Sequence, residues 1–193
     1  SVIVEGGASA SAIRTLCHEH GVKCLFTTPT QMRLMRQESR HLSEVILPAL
    51  ARVFVAGEYA DPTLLEWARS YFRTPVVNHW WQTETGWSIT AHFFGLPERE
   101  PVSLMNDIGR PAPGFRPAIV PSIPGEQCGE IVLSLPLPPG CLAGIWKNGA
   151  IRVPSAYLDE TRRYYRTFDE GMIQANRAVH MLGRSDDVIK VAG

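Results

Sequence analysis

RVFVAGEYADPTLLEWARSYFRTPVVNHW, residues 52–80, carries the clearest alternation of strand and helix signals in the chain. RVFVAG (52–57) reads as a short strand ending in glycine. Asp61 then stands before Pro62, an N-cap residue followed by the ring that suits the first helical position. TLLEWARSYF supplies the helix, and TPVVNHW (74–80) returns to strand. The same alternation lies upstream. Residues 8–20 place Ala12, Ile13 and Leu16 at helical spacing, and Gly21 is a natural stop. VKCLF (22–26) is a short strand, and TTPT offers Thr28 as N-cap and Pro29 at the first position of a helix through QMRLMRQES. Strand, helix, strand, helix, strand predicts a parallel α/β sheet.

After residue 100 prolines and glycines become dense, with strand-like pieces RPAIV and GEIVLSL between turn signals. Helical periodicity returns only near SAYLDETRRYY (155–165). The fold class expected is α/β, with a parallel part over residues 1–100, a smaller mostly β subdomain over 101–185, and a short last segment over 186–193.

The chain of 193 residues carries 19 Lys and Arg against 19 Asp and Glu, so no basic surface argues for nucleic acid. No apolar run is long enough to span a bilayer. SVIVEGGASA has neither the charged start nor the apolar stretch of a signal peptide. It also lacks an initiator methionine, and DDVIKVAG stops at a glycine like a strand cut short, so both ends read as truncated. Cys17, Cys24, Cys128 and Cys141 form no CxxC pair and no zinc spacing, which favours ordinary thiols in a reducing compartment. His18 and His20 do not share a helix face, and His79 and His92 read as ordinary polar contacts.

Ligands of parallel sheets bind beyond the carboxyl ends of the strands. Two polar motifs fall there: Gly57-Glu58, and the run Trp80, Trp81, Gln82, Thr83, Glu84. Glycine admits close approach of a flat ring, and an indole offers a stacking face. A threonine hydroxyl suits phosphate, and a carboxylate suits Mg²⁺ between phosphates. The alternative is a hydrogen-bonded turn under an aromatic cluster. Asp169 and Arg184 lie far downstream; singly each reads as a surface charge or a structural ion pair, and together they could hold ribose hydroxyls or phosphate.

These motifs resemble those of the adenylate-forming acyl-CoA synthetases, within them the short-chain acetyl- and propionyl-CoA branch. WWQTETG (80–86) is similar to the family's aromatic-x-Thr-Glu motif and FVAGE (54–58) to its adenine loop. IGRPAPGF (108–115), GEIVL, LPLPPGCLAGIWKN (135–148), TFDEG (167–171) and GRSDDVIKVAG (183–193) follow in the family's order. The resemblance implies part of the large N-terminal domain of such an enzyme, ending in a hinge. It implies ATP, Mg²⁺ and coenzyme A as substrates with acetate or propionate: the acid attacks the α-phosphate, and coenzyme A then displaces AMP.

Thr83 would contact the α-phosphate and Glu84 would hold Mg²⁺. Gly57, Glu58, Asn78, His79, Trp80 and Gln82 would bind nucleotide. Asp169 would hold the ribose, assisted by Arg184. Trp81 would close the acyl pocket, and Asp186 would be the hinge. The resemblance also implies a cytoplasmic location, or the mitochondrial matrix if the chain is animal.

Departures are equally legible. The family's phosphate loop and the lysine-bearing C-terminal domain do not occur in this sequence, and Lys190 lies in the hinge strand. A non-catalytic remnant binding nucleotide or a protein partner is therefore the alternative. Phe168 stands where glycine is usual, and Asn78 where Asp is common. Residues 145–165 depart in spacing, and QANRAVHMLGR (174–184) lacks the usual acidic-Gly turn, which predicts a degenerate hairpin.

Overall fold

The structure, a computed structural model, describes residues 1–4, 9–39, 47–94, 108–142 and 144–185. Two compact units meet in the chain at His79–Trp80, whereas the change of composition placed a division near residue 100.

Among the described residues, the first unit is a parallel β-sheet with three helices. Helix α1 (Ala10–Glu19) begins where Ser9 Oγ accepts the Ala12 amide at 3.1 Å. Strand β1 (Cys24–Thr27) follows, then α2 (Pro29–Ser39), capped by Thr28 Oγ1 on the Gln31 amide at 3.2 Å. Strand β2 (Arg52–Val55) leads to α3 (Pro62–Phe72), where Asp61 Oδ1 accepts the Leu64 amide at 2.9 Å. In α2 and α3 the proline occupies the first helical position, where its missing N–H leaves no bond unmade. Strand β3 (Val76–Asn78) completes the sheet order β1-β2-β3, all parallel.

The period of two sends Val53, Val55 and Val76 to a core shared with Met32, Met35, Leu64 and Phe72. Phe26, on the other sheet face, is 59% exposed and meets the edge of His79 at 5.4 Å between ring centres. The helices and strands read from residues 52–80 are thus present, with one change. The third strand stops at Asn78 instead of running to Trp80, and the His79 amide donates to Val55 O at 3.1 Å.

The second unit is mostly antiparallel β. Strands β4 (Trp80–Trp81), β5 (Ser88–Ala91) and β6 (Arg110–Pro111) form one sheet in that order. A four-stranded sheet follows, order β12-β11-β8-β7, from β7 (Pro117–Pro121), β8 (Gly129–Ser134), β11 (Tyr164–Ile173) and β12 (Val179–Arg184). Between β8 and β11 sits the hairpin of β9 (Ile145–Lys147) and β10 (Ala150–Arg152). Trp80, Ile89, Phe115, Ile131, Leu133, Tyr165 and Val179 share the core. Gly109 is required there: its φ is +89°, and a Cβ would lie 2.3 Å from the Ala91 carbonyl carbon.

Two local expectations are corrected. Residues 155–165 are not helical. A 3-10 turn at Ser155–Tyr157 gives way to a loop in which Asp159 Oδ1 accepts the amides of Arg163 and Tyr164, each at 2.7 Å. The aspartate takes the N–H groups that a helix would need. The β11–β12 hairpin is intact, not degenerate. The Gln174 amide donates to Ala178 O at 2.9 Å, Asn176 Oδ1 accepts the Ala178 amide at 2.9 Å, and Arg177 takes the left-handed turn conformation at φ +68°. An asparagine side chain and one residue in that conformation replace the missing acidic-Gly pair. Among the described residues no helix is long and apolar enough to cross a membrane.

Candidate active site

The site in the second unit is built around the turn that follows the two tryptophans. In β4 successive side chains alternate, so Trp80 points inward at 5% exposure and Trp81 outward at 37%. The chain then tightens into a single 3-10 turn over Thr83–Thr85. The Thr85 amide donates to Gln82 O at 3.0 Å, and the Gln82 amide donates back to Thr85 Oγ1 at 3.1 Å. Gly86 ends the turn at φ +64°. Thr85 is buried and fixes the turn, while Thr83 faces out and Glu84 is half-buried.

Among the described residues Asp169 is the buried charge of the unit, only 4% exposed. Its Oδ2 accepts the Trp80 indole N–H at 2.9 Å and a Gln82 Nε2 hydrogen at 2.7 Å. Its Oδ1 lies 3.6 Å from an Arg184 guanidinium nitrogen. Antiparallel register explains the last contact: Asp169 on β11 stands directly opposite Arg184 on β12. A bulge explains the first two. From Arg166 to Asp169, β11 advances three residues while β8 moves only from Val132 to Ile131, so Thr167 and Phe168 are extruded. Phe168 takes φ +59° at the position where glycine is usual in the resembling family. Glu130 braces the bulge, accepting Arg166 Nη2 at 2.7 Å and the Phe168 amide at 3.3 Å.

Gln82 joins these parts. Its Nε2 also donates to Thr167 O at 2.7 Å, and its Oε1 accepts the Tyr165 hydroxyl at 3.0 Å. Burial pushes the Tyr165 phenol well above its ordinary range, so it stays protonated and donates. Tyr157 stacks on Tyr165, 5.7 Å between ring centres and 10° between planes. Its hydroxyl donates to Glu84 Oε1 at 2.9 Å, and that bond raises the Tyr157 phenol above its usual value. The Leu142 amide holds Glu84 O at 2.7 Å.

Trp80, Gln82, Asp169 and Arg184 are therefore brought together, with Glu84 on the same turn as Gln82. Trp80 differs from the expected stacking platform, since its ring is core and its N–H serves Asp169. Tyr157, Tyr165 and Thr167 were missed. Tyr157 and Tyr165 lie in or at the edge of a segment that read as helix, and only the Thr-x-Asp order of TFDEG hinted at Thr167.

Gly57, Glu58, Asn78 and His79 belong to the first unit, at the carboxyl ends of neighbouring strands β2 and β3. Gly57 has φ +98°, and Glu58 Oε2 accepts the Thr30 hydroxyl at 2.6 Å with Arg33 at 3.5 Å. Asp186 lies outside the described residues.

A divalent cation fits Glu84 chemically. Its carboxylate is half-buried, offers hard oxygen donors, and among the described residues receives one hydrogen bond and no ion pair. No cluster of three His, Cys, Asp or Glu that could hold a metal by protein ligands alone occurs among the described residues.

Comparison with known proteins points the same way. Residues 1–146 match the family described as AMP-binding enzyme. A bovine relative, acyl-CoA synthetase short-chain family member 3, mitochondrial, is 38% identical over 97% of this chain and 28% of its own length. The propionate–CoA ligase of Escherichia coli is 32% identical over 93% of this chain and 29% of its own. Among solved structures, a Brucella canis acyl-CoA synthetase superposes with a TM-score of 0.74 at 26% identity, over 95% of this chain and 33% of that one. The chain thus spans under a third of the length of the relatives it matches. With three quarters of its length matching the family and short-chain acyl-CoA synthetases matching nearly all of it, the chain belongs to the AMP-binding enzymes.

Proposed function

We propose that this chain forms part of the adenylation site of a short-chain acyl-CoA synthetase. The reaction is carboxylate plus ATP to acyl-adenylate and pyrophosphate, then coenzyme A to thioester and AMP. The supporting observation is the buried Asp169 carboxylate. Trp80 and Gln82 fix one oxygen, the other faces Arg184, and the turn supplying Gln82 also supplies Thr83 and Glu84.

In this reading Asp169 accepts ribose hydroxyls through Oδ1, and Arg184 keeps its charge in place. Thr83, exposed at the start of the turn, donates to the α-phosphate. Glu84 would hold Mg²⁺, which neutralises phosphate charge when bound. The contribution of these residues is positioning in a preset geometry. Gly57, Glu58, Asn78 and His79 of the first unit are assigned to nucleotide binding, and Asp186 to the hinge. Trp81, outward at the head of the turn, limits the acid to a few carbons. An added methylene that fits contributes only about 1–3 kcal/mol, so longer acids must be excluded sterically. Trp81→Gly in a complete enzyme is expected to admit longer acids, and an unchanged acid preference would refute that role. Like the bovine relative, named as mitochondrial, an animal version would work in the mitochondrial matrix.

Titration calorimetry of the full 193-residue chain tests the reading. AMP binding is expected, abolished by Asp169→Ala; heats indistinguishable from buffer would sink it. Pyrophosphate release from ATP, Mg²⁺ and propionate is expected to be absent, because this sequence holds neither phosphate loop nor catalytic lysine.

A further inference from the structure

We propose that Tyr157 is a positioning residue for Glu84, holding one lobe of its carboxylate so that the other faces the cation. This rests on the reading of Glu84 as the carboxylate that holds Mg²⁺. The hydroxyl of Tyr157 donates to Oε1 at 2.9 Å, and Oε2 has no hydrogen-bond partner among the described residues. A glutamate has three side-chain torsions, and Glu84 is fixed at both ends. The Leu142 amide pins its backbone carbonyl, and Tyr157 pins its tip.

The tyrosine is itself held firmly. One ring face stacks on Tyr165, and the edge of Phe168 closes on it at 6.1 Å and 71°. Phe168 is placed there by the bulge, with the Arg166 guanidinium 4.9 Å from its ring centre. The two parallel tyrosines grip alternate side chains of one turn: Tyr165 holds Gln82, and Tyr157 holds Glu84. Through Gln82 the first grip continues to Asp169. The metal carboxylate and the ribose carboxylate are therefore oriented by one aromatic stack. Outer hydrogen bonds of this kind orient ligating carboxylates and raise metal affinity.

The test uses the full chain, its Tyr157→Phe variant, which keeps the ring stack, and Glu84→Gln. Electron paramagnetic resonance measures free Mn²⁺ in the presence of ATP, and calorimetry measures metal-free AMP binding. Tyr157→Phe is expected to weaken Mn²⁺·ATP binding roughly tenfold or more while metal-free AMP affinity stays within about twofold. With ¹³C at the tyrosine ring carbon bearing oxygen, the signal missing from Tyr157→Phe should move in Glu84→Gln at fixed neutral pH. Unchanged Mn²⁺·ATP affinity in Tyr157→Phe overturns the proposal while leaving the proposed function standing, and so does a fixed ¹³C signal in Glu84→Gln. Absence of metal-dependent nucleotide binding in the parent chain overturns both.

Discussion

Trp80 and Asp169, separated by 89 residues in the chain, are joined by an indole N–H donating to Oδ2 at 2.9 Å. Both are buried, so the bond lies where water cannot replace it. Trp80→Phe keeps an aromatic ring in the core but removes the donor together with part of the indole. A hydrogen bond to a buried charge is worth roughly 1.5–3 kcal/mol, and a loss in that range is expected in urea denaturation of the second unit. AMP affinity should fall with it, because Asp169 is no longer fixed.

Gln82 is an amide because its two ends face opposite needs. Nε2 donates to Asp169, and Oε1 accepts from Tyr165. Gln82→Glu retains the acceptor and brings a second carboxylate to within hydrogen-bond distance of the first. Two such groups cannot both ionise cheaply, so the folded-state pKa of the pair is raised. The variant should be destabilised near neutral pH and regain stability as pH falls toward the carboxylate range, about pH 4. Denaturation midpoints across that range check the sign. A penalty that stays constant on acidification would exclude carboxylate repulsion as its cause.

Phe168 holds φ +59°, a region that favours glycine, and its ring contacts Arg166 and Tyr157. Phe168→Ala keeps the backbone strain and loses the ring. Phe168→Gly loses the ring and relieves the strain. The glycine variant should therefore be the more stable of the two by roughly 1 kcal/mol, the reverse of the usual order in a strand. Paired thermal melts of the two variants measure the difference.

Asp61 caps α3 through the Leu64 amide, and its bond to the Thr63 hydroxyl at 2.7 Å, with that amide and Arg33, holds its carboxyl below the ordinary carboxylate value. Asp61→Ala should cost about 1 kcal/mol in the first unit, and Asp61→Asn much less. Because the folded pKa is depressed, the charge-dependent part of the cap is complete above the unfolded value. It is lost as pH falls through the folded one. The gap between parent and Asp61→Ala should therefore narrow in acid, as read by chemical denaturation.

Much of this is legible in the primary structure because it is local. Thr28-Pro29 and Asp61-Pro62 start helices through side-chain oxygens that reach amides three residues on, so a short window suffices. SAYLDETRRYY shows the limit of the same method. Its apolar spacing suits a helix, yet Asp159 captures the amides of Arg163 and Tyr164 and the chain enters β11 instead. Periodicity cannot weigh a side-chain acceptor against a backbone one. The family motif named Thr83, Glu84, Asp169 and Arg184, but nothing in it named Tyr157, whose partner lies 73 residues away.

The primary structure alone specifies the alternating α/β first part, its helix starts, and which residues carry oxygen and charge in the WWQTETG turn. Those follow from torsional preferences and spacing along a few residues. Packing between distant segments makes Trp80 a core residue and a hydrogen-bond donor, and a bulge turns Asp169 toward it. The same packing brings two stacked tyrosines onto Gln82 and Glu84. Such relations depend on strand register across the sheet, where an extruded Thr167-Phe168 pair resets which side chains meet.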